Sequence, residues 1–305
     1  MHKFNLKGKV VDRMKGIEPE TAGTGKEDGS RTAERNGQPG ETPEILRVAW
    51  RTDVGRIRKN NQDAVIIGNG LLGVADGMGG HNGGEIASAG LRDGLLRETE
   101  KAEPGADTLK EAVRKVNYEL WEQQEKDAAL TGMGTTLTIL WPAGDEMVVG
   151  QVGDSRAYLI RGEQMKQVTD DHSMVADMVR RGVLTEEQAA CHPMRNYITR
   201  AVGTDDSVEV DVTTVHRAHG DRWLVCSDGL HGQMDKAELE KLARIEDLEE
   251  AADSLLQAAL ENGGKDNISL ILIQDDGDYP PEPEEEQPQE GTADPEPDGE
   301  GEAEA

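Results

Sequence analysis

Two hydrophobic periodicities divide residues 45–274 into strands and helices. Short apolar runs rich in Val, Ile and Leu are typical of buried strands. We predict strands over residues 46–52, 63–67, 71–75, 135–141, 147–152, 157–160, 223–226 and 268–273. Loops as short as Pro142-Ala143-Gly144-Asp145 favour antiparallel pairing of the strands that they join.

Two amphipathic segments predict long helices. Residues 107–126 place Leu109, Val113 and Val116 on one face at spacings of three and four residues. Residues 245–261 repeat that spacing, and a third helix is expected near 84–98. Clusters of strands followed by helices indicate an α+β fold built on antiparallel sheets, not a doubly wound parallel sheet.

Composition sets the predicted domain boundaries. Residues 1–45 include a Gly-, Glu-, Thr- and Pro-rich stretch without periodicity, and residues 275–305 form a Pro-rich acidic tail. Neither can bury enough apolar surface to fold alone, so we expect a flexible extension and a disordered tail. Residues 46–274 are predicted to form one domain, in which the polar stretch at about 169–204 forms a small flap subdomain.

The charge of the chain limits its partners. The formal net charge is −28, and half of it lies from Asp275 onward, where 14 acidic residues occur without Lys or Arg. Such a chain repels phosphate backbones and anionic lipid headgroups, which argues against nucleic acid and membrane as partners.

Cysteine usage and hydropathy favour the cytoplasm. The two cysteines, Cys191 and Cys226, form no C-x-x-C pair and no disulfide framework, as is typical of reduced thiols. The sequence has no apolar run of about 18 residues, and its N-terminus lacks the apolar segment of a signal peptide. We expect a cytoplasmic monomer.

Four short aspartate motifs carry the candidate chemistry. Each places an Asp next to a small residue and beside a predicted strand, at Asp76, Asp154, Asp228 and Asp266. One such Asp alone would more often be a turn or cap residue. If the strands pair, however, four carboxylates meet, and their mutual repulsion requires cations. Hard divalent ions prefer oxygen ligands, so the pattern predicts a Mg²⁺ or Mn²⁺ cluster.

Taken in order, these motifs resemble those of the metal-dependent type 2C protein phosphatases, in their bacterial Ser/Thr phosphatase form. The resemblance runs from about Arg47 to Ile273 and also includes residues 52–63, 132–137 and 198–203. It implies an αββα sandwich, in which two antiparallel sheets are flanked by helices and the metal site lies at one end.

The resemblance also implies a ligand set for the metals. Asp76 would bridge two Mn²⁺ or Mg²⁺ ions, the Gly77 carbonyl would bind one of them, and Asp228 and Asp266 would bind the other. Asp154, together with Asp228, matches a third-metal site of bacterial members. Two or three ions are therefore expected.

The same resemblance implies the reaction. Arg58 would bind the substrate phosphate, and Asp63 would bind a metal-coordinated water. A water bridging two cations would hydrolyse phosphoserine and phosphothreonine in proteins, with Arg58, Asp76, Asp228 and Asp266 as the catalytic residues, opposing a bacterial Ser/Thr kinase. Met78 stands where eukaryotic relatives carry His, which leaves open the group that protonates the leaving oxygen.

Two other functions stay open. A catalytically silent phosphatase-like module would bind phosphoproteins, and loss of a metal aspartate would support it, but all four are present. A relative that acts on anti-sigma-factor antagonists would normally carry sensor domains, which the sequence does not show. The histidines His172 and His231 are interpreted as polar surface or hydrogen-bonded groups, because no Cys/His spacing surrounds them.

Overall fold

The computed structural model describes residues 27–33, 46–79 and 83–280. Its twelve strands in these ranges are β1 (Glu27–Ala33), β2 (Leu46–Asp53), β3 (Asp63–Gly68), β4 (Leu71–Met78), β5 (Gly134–Thr135), β6 (Leu137–Ala143), β7 (Glu146–Val152), β8 (Arg156–Arg161), β9 (Gln164–Gln167), β10 (Asp211–His216), β11 (Arg222–Cys226) and β12 (Ile268–Asp275). All pair antiparallel, in the orders β1-β2-β12-β11-β8-β9 and β10-β7-β6-β4-β3, with β5 on β4. The predicted antiparallel class is confirmed.

Helices cover the outer faces of both sheets. The described helices are α1 (Gly83–Glu98), α2 (Ala106–Lys126), α3 (Met174–Arg180), α4 (Glu186–Ala190), α5 (Asp228–His231), α6 (Lys236–Ala243) and α7 (Leu248–Glu261). The first two pack on the β10–β3 sheet, and α5, α6 and α7 pack on the other sheet. A third apolar cluster fills the space between the sheets. These four layers are the predicted αββα sandwich.

Side-chain alternation along β12 shows how the layers are built. Leu270 and Leu272 contact the helix layer, whereas Ile271 and Ile273 point between the two sheets. Since both faces of the strand are covered, all eight of its residues are buried. That is why the segment is nearly uniformly apolar in sequence.

Tertiary hydrogen bonds move several predicted element boundaries. The strand predicted over 135–141 is broken at Thr136, whose N–H donates to the Asp76 carbonyl at 2.8 Å. The helix predicted from residue 245 begins at Leu248, because the Asp247 side chain caps it by accepting the Glu250 N–H at 2.8 Å. Helix α6 and strand β9 are short elements that the periodicity did not predict.

The two ends of the chain also differ from expectation. Within the predicted flexible extension 1–45, β1 pairs along its backbone with β2, and the rest of that extension lies outside the described residues. At the other end, β12 continues to Asp275, which is fully buried, and Tyr279 packs on Arg217. Residues 275–280 therefore belong to the folded body, and the tail from 281 lies outside the described residues.

The predicted flap contains α3 and α4. An antiparallel bridge between Ser173 and Ile198 joins its two ends to each other, and another between Thr135 and Val202 ties it to the body. Among the described residues, no helix combines the length and the apolar character needed to cross a lipid bilayer.

Candidate active site

Five aspartates meet at one end of the two sheets. Asp63 begins β3 and pairs in register with Asp76 of β4, so these two come from the same sheet. Asp154 lies in the β7–β8 loop, Asp228 begins α5 after β11, and Asp266 precedes β12. Each of the other four carboxylates raises the pKa of Asp76, so all four lie within electrostatic reach of Asp76.

The backbone around Asp76 is held by Thr136. The Asp76 N–H donates to Thr136 Oγ1 at 2.9 Å, and the Thr136 N–H donates back to the Asp76 carbonyl. Thr136 Oγ1 also lies 2.8 Å from Ser155 Oγ, next to Asp154. One threonine therefore connects strand β4, which carries Asp76, to the loop that carries Asp154.

Two glycines allow the elements to approach. A Cβ on Gly77 would lie 2.1 Å from the Gly84 carbonyl oxygen of α1, so only glycine fits beside Asp76. A Cβ on Gly229 would lie 1.8 Å from the Asn267 carbonyl oxygen, which brings Asp228 close to the Asp266–Asn267 turn. Both Asp-Gly pairs are required by close packing, not by a positive φ angle.

Asp63 is oriented by hydroxyl groups. Ser227 Oγ donates to Asp63 Oδ2 at 2.9 Å and itself accepts the Ser269 N–H at 3.0 Å. Ser269 Oγ lies 2.8 Å from Thr52 Oγ1, and Asn61 Nδ2 donates to Thr52 Oγ1. The other oxygen of Asp63, Oδ1, is buried and has no hydrogen-bond partner.

Arg58 faces the cluster from the β2–β3 loop. Its Nη2 donates to Asp266 Oδ2 at 2.7 Å, and 52% of its side chain is exposed against 27% for Asp266. Partial burial lowers the pKa of Arg58, but the hydrogen bond to Asp266 and the attraction of Asp76 and Asp228 outweigh it and raise the pKa. The guanidinium is thus anchored at one end and open to solvent at the other.

The cluster holds more negative charge than its surroundings neutralise. Burial first, then repulsion by Asp228, raises the pKa of Asp154 to about 8. Burial also raises the pKa of Asp63 to about 7, although Ser269 and Ser227 oppose the shift. The pKa values of Asp76 and Asp228 are raised for the same two reasons, burial and neighbouring carboxylates. Each ionised form therefore needs a cation.

The donor set fits hard divalent cations. Carboxylate oxygens and a backbone carbonyl are the ligands that Mg²⁺ and Mn²⁺ take, and buried Oδ1 atoms of Asp63 and Asp228 lack partners. In the described part of the chain, no three acidic, histidine or cysteine side chains already converge as a finished ligand group. Arg58 and the Asn267 N–H instead occupy the two oxygens of Asp266.

The two histidines near the cluster, His172 and His231, make hydrogen bonds that hold neighbouring loops. Burial lowers the pKa of His231 to about 3, and its neutral Nε2–H donates to the Asp154 carbonyl at 3.1 Å. His172 Nδ1 accepts the Gly153 N–H at 3.1 Å, while its Nε2 lies 3.0 Å from Asp211 Oδ2. Both were interpreted as hydrogen-bonded groups, and both are.

The structure brings all the predicted site residues to one place. The five aspartates, Arg58 and Gly77 lie around the same sheet ends, and their individual roles remain predictions. The sequence patterns did not reveal the supporting groups, which are Thr52, Thr136, Ser155, Ser227, Asn267 and Ser269. Four of these lie within three residues of an aspartate in the motifs, which was the available signal.

Comparison with known proteins identifies the class. The protein phosphatase 2C family model matches residues 56–272, and the chain belongs to that family. A serine/threonine phosphatase stp of Listeria innocua is 37% identical over 246 residues, which cover 75% of this chain and 96% of the relative.

Two further matches, one a sequence and one a crystal structure, are to proteins named PstP. The serine/threonine protein phosphatase PstP of Mycobacterium tuberculosis is 40% identical over 231 residues, or 75% of this chain. The chain spans 45% of the length of that relative. A crystal structure of a PstP catalytic domain in complex with two manganese ions superposes with a TM-score of 0.71 at 36% identity, covering 76% of this chain and 99% of that one.

Proposed function

We propose that this protein hydrolyses phosphoserine and phosphothreonine in proteins, using two or three Mn²⁺ or Mg²⁺ ions. The observation that carries the proposal is the cluster of five aspartates beside a solvent-facing arginine. Within it the pKa values of Asp63, Asp76, Asp154 and Asp228 are raised. A fold that needed only stability would not gather so many carboxylates without matching cations.

The family resemblance supplies the ligand set that we propose for the metals. We assign Asp76 as the bridge between two ions, with the Gly77 carbonyl on one of them and Asp228 and Asp266 on the other. Asp154 supplies a third site with Asp228, and its raised pKa fits a carboxylate that ionises when a cation arrives. The PstP neighbour with two manganese ions supports the proposal that divalent cations bind at this site.

Asp63 has a different part in this scheme. Because Ser227 fixes one of its oxygens, the unpartnered Oδ1 is positioned to accept a hydrogen bond from a metal-coordinated water. When bound, two cations lower the pKa of a water between them and neutralise charge on the phosphoryl oxygens.

Arg58 binds the substrate phosphate in this proposal. A phosphate dianion can replace Asp266 Oδ2 as the acceptor of the guanidinium, and a planar fork holds two phosphate oxygens at once. The half-exposed position of the side chain lets it meet a phosphate that arrives from solvent. Until a phosphate arrives, the hydrogen bond to Asp266 holds the guanidinium beside the proposed metal ligands.

A groove next to the cluster suits the peptide around the phosphorylated residue. A cavity of about 270 Å³ is lined by Met78, which follows Gly77, by the flap residues Thr199 and Arg200, and by Glu209, which follows the flap. Both charge signs occur on its walls, so it offers polar contacts to a peptide backbone. Since Met78 donates no proton, the leaving oxygen is protonated by another group.

The cellular setting is inferred from chemistry and relatives together. A phosphoserine/phosphothreonine hydrolase opposes a Ser/Thr kinase, and phosphorylated proteins are its partners. The net charge of −28 disfavours nucleic acid and anionic membranes, and we place the protein in the cytoplasm as a monomer.

Hydrolysis of a phosphothreonine peptide tests the proposal. We expect Mn²⁺-dependent turnover by the wild type, none with chelator, and collapse of turnover in Asp228→Asn. Circular dichroism of both proteins serves as the control for folding. A folded, Mn²⁺-loaded wild type that binds the phosphopeptide without turnover would instead support the silent phosphoprotein-binding module.

A further inference from the structure

Asn267, which follows Asp266, has every polar atom of its side chain committed to one loop. Its Oδ1 accepts the Gln62 N–H at 2.8 Å, and its Nδ2 donates to the carbonyls of Val54 and Asn60 at 3.0 and 2.9 Å. Asn267 is 5% exposed, so these bonds are shielded from water. The three partners span residues 54–62, the loop that carries Arg58.

The same residue also touches the metal-binding side of the cluster. The Asn267 N–H donates to Asp266 Oδ1 at 2.9 Å, and its carbonyl oxygen packs against Gly229, next to Asp228. Through Gln62, whose carbonyl accepts the Gly77 N–H at 3.1 Å, the chain of bonds continues to β4. Asn267 thus lies where the arginine loop meets the elements that carry Asp228 and Asp266.

We propose that Asn267 is the positioning residue for Arg58, setting the place of the phosphate-binding guanidinium relative to the metal carboxylates. This inference rests on the proposed function. Arg58 itself is half exposed and has Asp266 as its acceptor, a contact that the substrate phosphate would replace. During catalysis its position must then come from its backbone, and Asn267 fixes that backbone at three points. The recognised group is a phosphate monoester dianion.

An Asn267→Ala variant tests the inference, with Asn117→Ala as its matched control. Asn117 is equally buried and pins a different segment, because its Oδ1 accepts the Gly203 N–H at 2.7 Å and its Nδ2 donates to the Asp205 carbonyl at 3.0 Å. Both substitutions remove one buried carboxamide that crosslinks a loop. Only the first one touches the loop of Arg58.

We expect Asn267→Ala to lower kcat/KM for a phosphothreonine peptide about 10- to 100-fold, the range typical when a supporting partner of a site is lost. The inhibition constant for inorganic phosphate should rise by a similar factor. Asn117→Ala should leave that constant within about twofold of the wild type, since its partners Gly203 and Asp205 lie outside the loop that carries Arg58.

A double-mutant cycle with Arg58→Ala separates positioning from general loosening. If Asn267 acts through Arg58, Asn267→Ala should change kcat/KM by less than about twofold once the guanidinium is absent. Equal losses in both backgrounds, or an unchanged inhibition constant for phosphate, would overturn the inference. Should the alanine variant fail to fold, Asn267→Ser is measured in the same cycle.

Hydrogen exchange of the metal-free protein gives a readout that needs no turnover. In Asn267→Ala the amides of residues 54–62, the Gln62 N–H above all, should exchange faster, whereas in Asn117→Ala the faster exchange should fall near Gly203. Unchanged amide exchange over residues 54–62 in Asn267→Ala would refute the claim that Asn267 fixes this loop. Absence of turnover in the wild type would count against the proposed function alone, because exchange reports on the loop independently.

Discussion

The aspartates at the two ends of strand β12 lie in opposite electrostatic environments. At its C-terminal end, Asp275 is fully buried and accepts hydrogen bonds from Arg217 Nε at 2.8 Å and Tyr279 OH at 2.7 Å. Next to its N-terminal end, Asp266 lies among four other carboxylates, and its partner Arg58 is half exposed. One strand of eight residues, roughly 25 Å long, separates these environments.

This difference shows which end is built for stability and which for chemistry. Where the fold needs only to be stable, a buried carboxylate is neutralised by its own protein, as in the Arg217–Asp275 pair. At the other end, burial and then neighbouring carboxylates raise the pKa values of Asp63 and Asp154, and the protein supplies too little positive charge to offset these shifts. A charge deficit that the fold could have removed is a sign of a ligand site.

Breaking the stable end should have the largest effect on the free energy of unfolding. Asp275→Asn presents N–H groups to Arg217 or leaves its charge unmatched, and we expect a loss of about 3–5 kcal/mol, as for other buried pairs. Urea unfolding measures it. The neighbouring Asp276→Asn disrupts only an exposed pair with Arg47 and should change stability by about 0–1 kcal/mol. Similar values for both variants would show that burial is not what matters here.

Breaking the other end should abolish activity and spare the fold. Asp76→Asn removes the predicted bridging ligand, and we expect kcat/KM to fall about a thousandfold, equivalent to roughly 4 kcal/mol of transition-state stabilisation. The metal-free variant should unfold no earlier than the wild type at pH 8, because a neutral amide escapes the repulsion that raises the pKa of Asp76. Calorimetry in chelator checks this, and a lower Tm in the variant would contradict it.

Removing the half-exposed cation should cost activity and little stability. Arg58→Ala is expected to lower kcat/KM about 100-fold, the scale of one lost charge-stabilising donor. Stability should change by less than about 1 kcal/mol, because the Arg58–Asp266 pair is largely solvent-exposed. Lys59→Ala removes an exposed positive charge from the same loop and is the control. Equal losses in both variants would indicate general electrostatic attraction and not phosphate binding.

A pH comparison should give the smallest and most specific effect. The pKa of Asp154 is about 8 in the fold against an ordinary 3.8, so its contribution to stability is complete below pH 4 and is lost as pH rises to about 8. Asp154→Asn cannot ionise. In chelator, the Tm of Asp154→Asn minus the Tm of the wild type should therefore increase between pH 6 and pH 9. Parallel Tm curves would refute the raised pKa.

Added Mn²⁺ should sharpen the same comparison. Because cations bind the ionised carboxylates, Mn²⁺ should raise the wild-type Tm more at pH 8 than at pH 6, and Asp154→Asn should show a smaller pH dependence of that rise. Equal shifts at both pH values would mean that Asp154 does not take part in metal binding.

Much of the fold was predictable because long buried elements require a regular spacing of apolar residues, which the sequence shows directly. The apolar face of α2 and the largely apolar run 268–273 of β12 are both found where their patterns place them. Short elements were less visible: α6 has eight residues, of which Leu239 and Ala243 are fully buried. β1 pairs through its backbone, which leaves no hydrophobic pattern to detect.

The candidate site was predictable only in part. Asp76, Asp154, Asp228 and Asp266 stand out because each joins a strand to a tight turn with a small residue. The structure adds how they are supported, through groups such as Thr136 and Asn267. Their partners lie 60 and 205 positions away, so no local pattern shows the contacts.

The order of residues decided which chemistry is available: the strands and helices, the acidic balance and the aspartates at strand ends are all local properties of the chain. Tertiary structure decided the strength of that chemistry. Burial and the meeting of five like charges raise the pKa values of Asp63 and Asp154, and these depend on distances between elements far apart in sequence. Electrostatic energy varies with separation and solvent exposure, and both exist only once the sheets have packed.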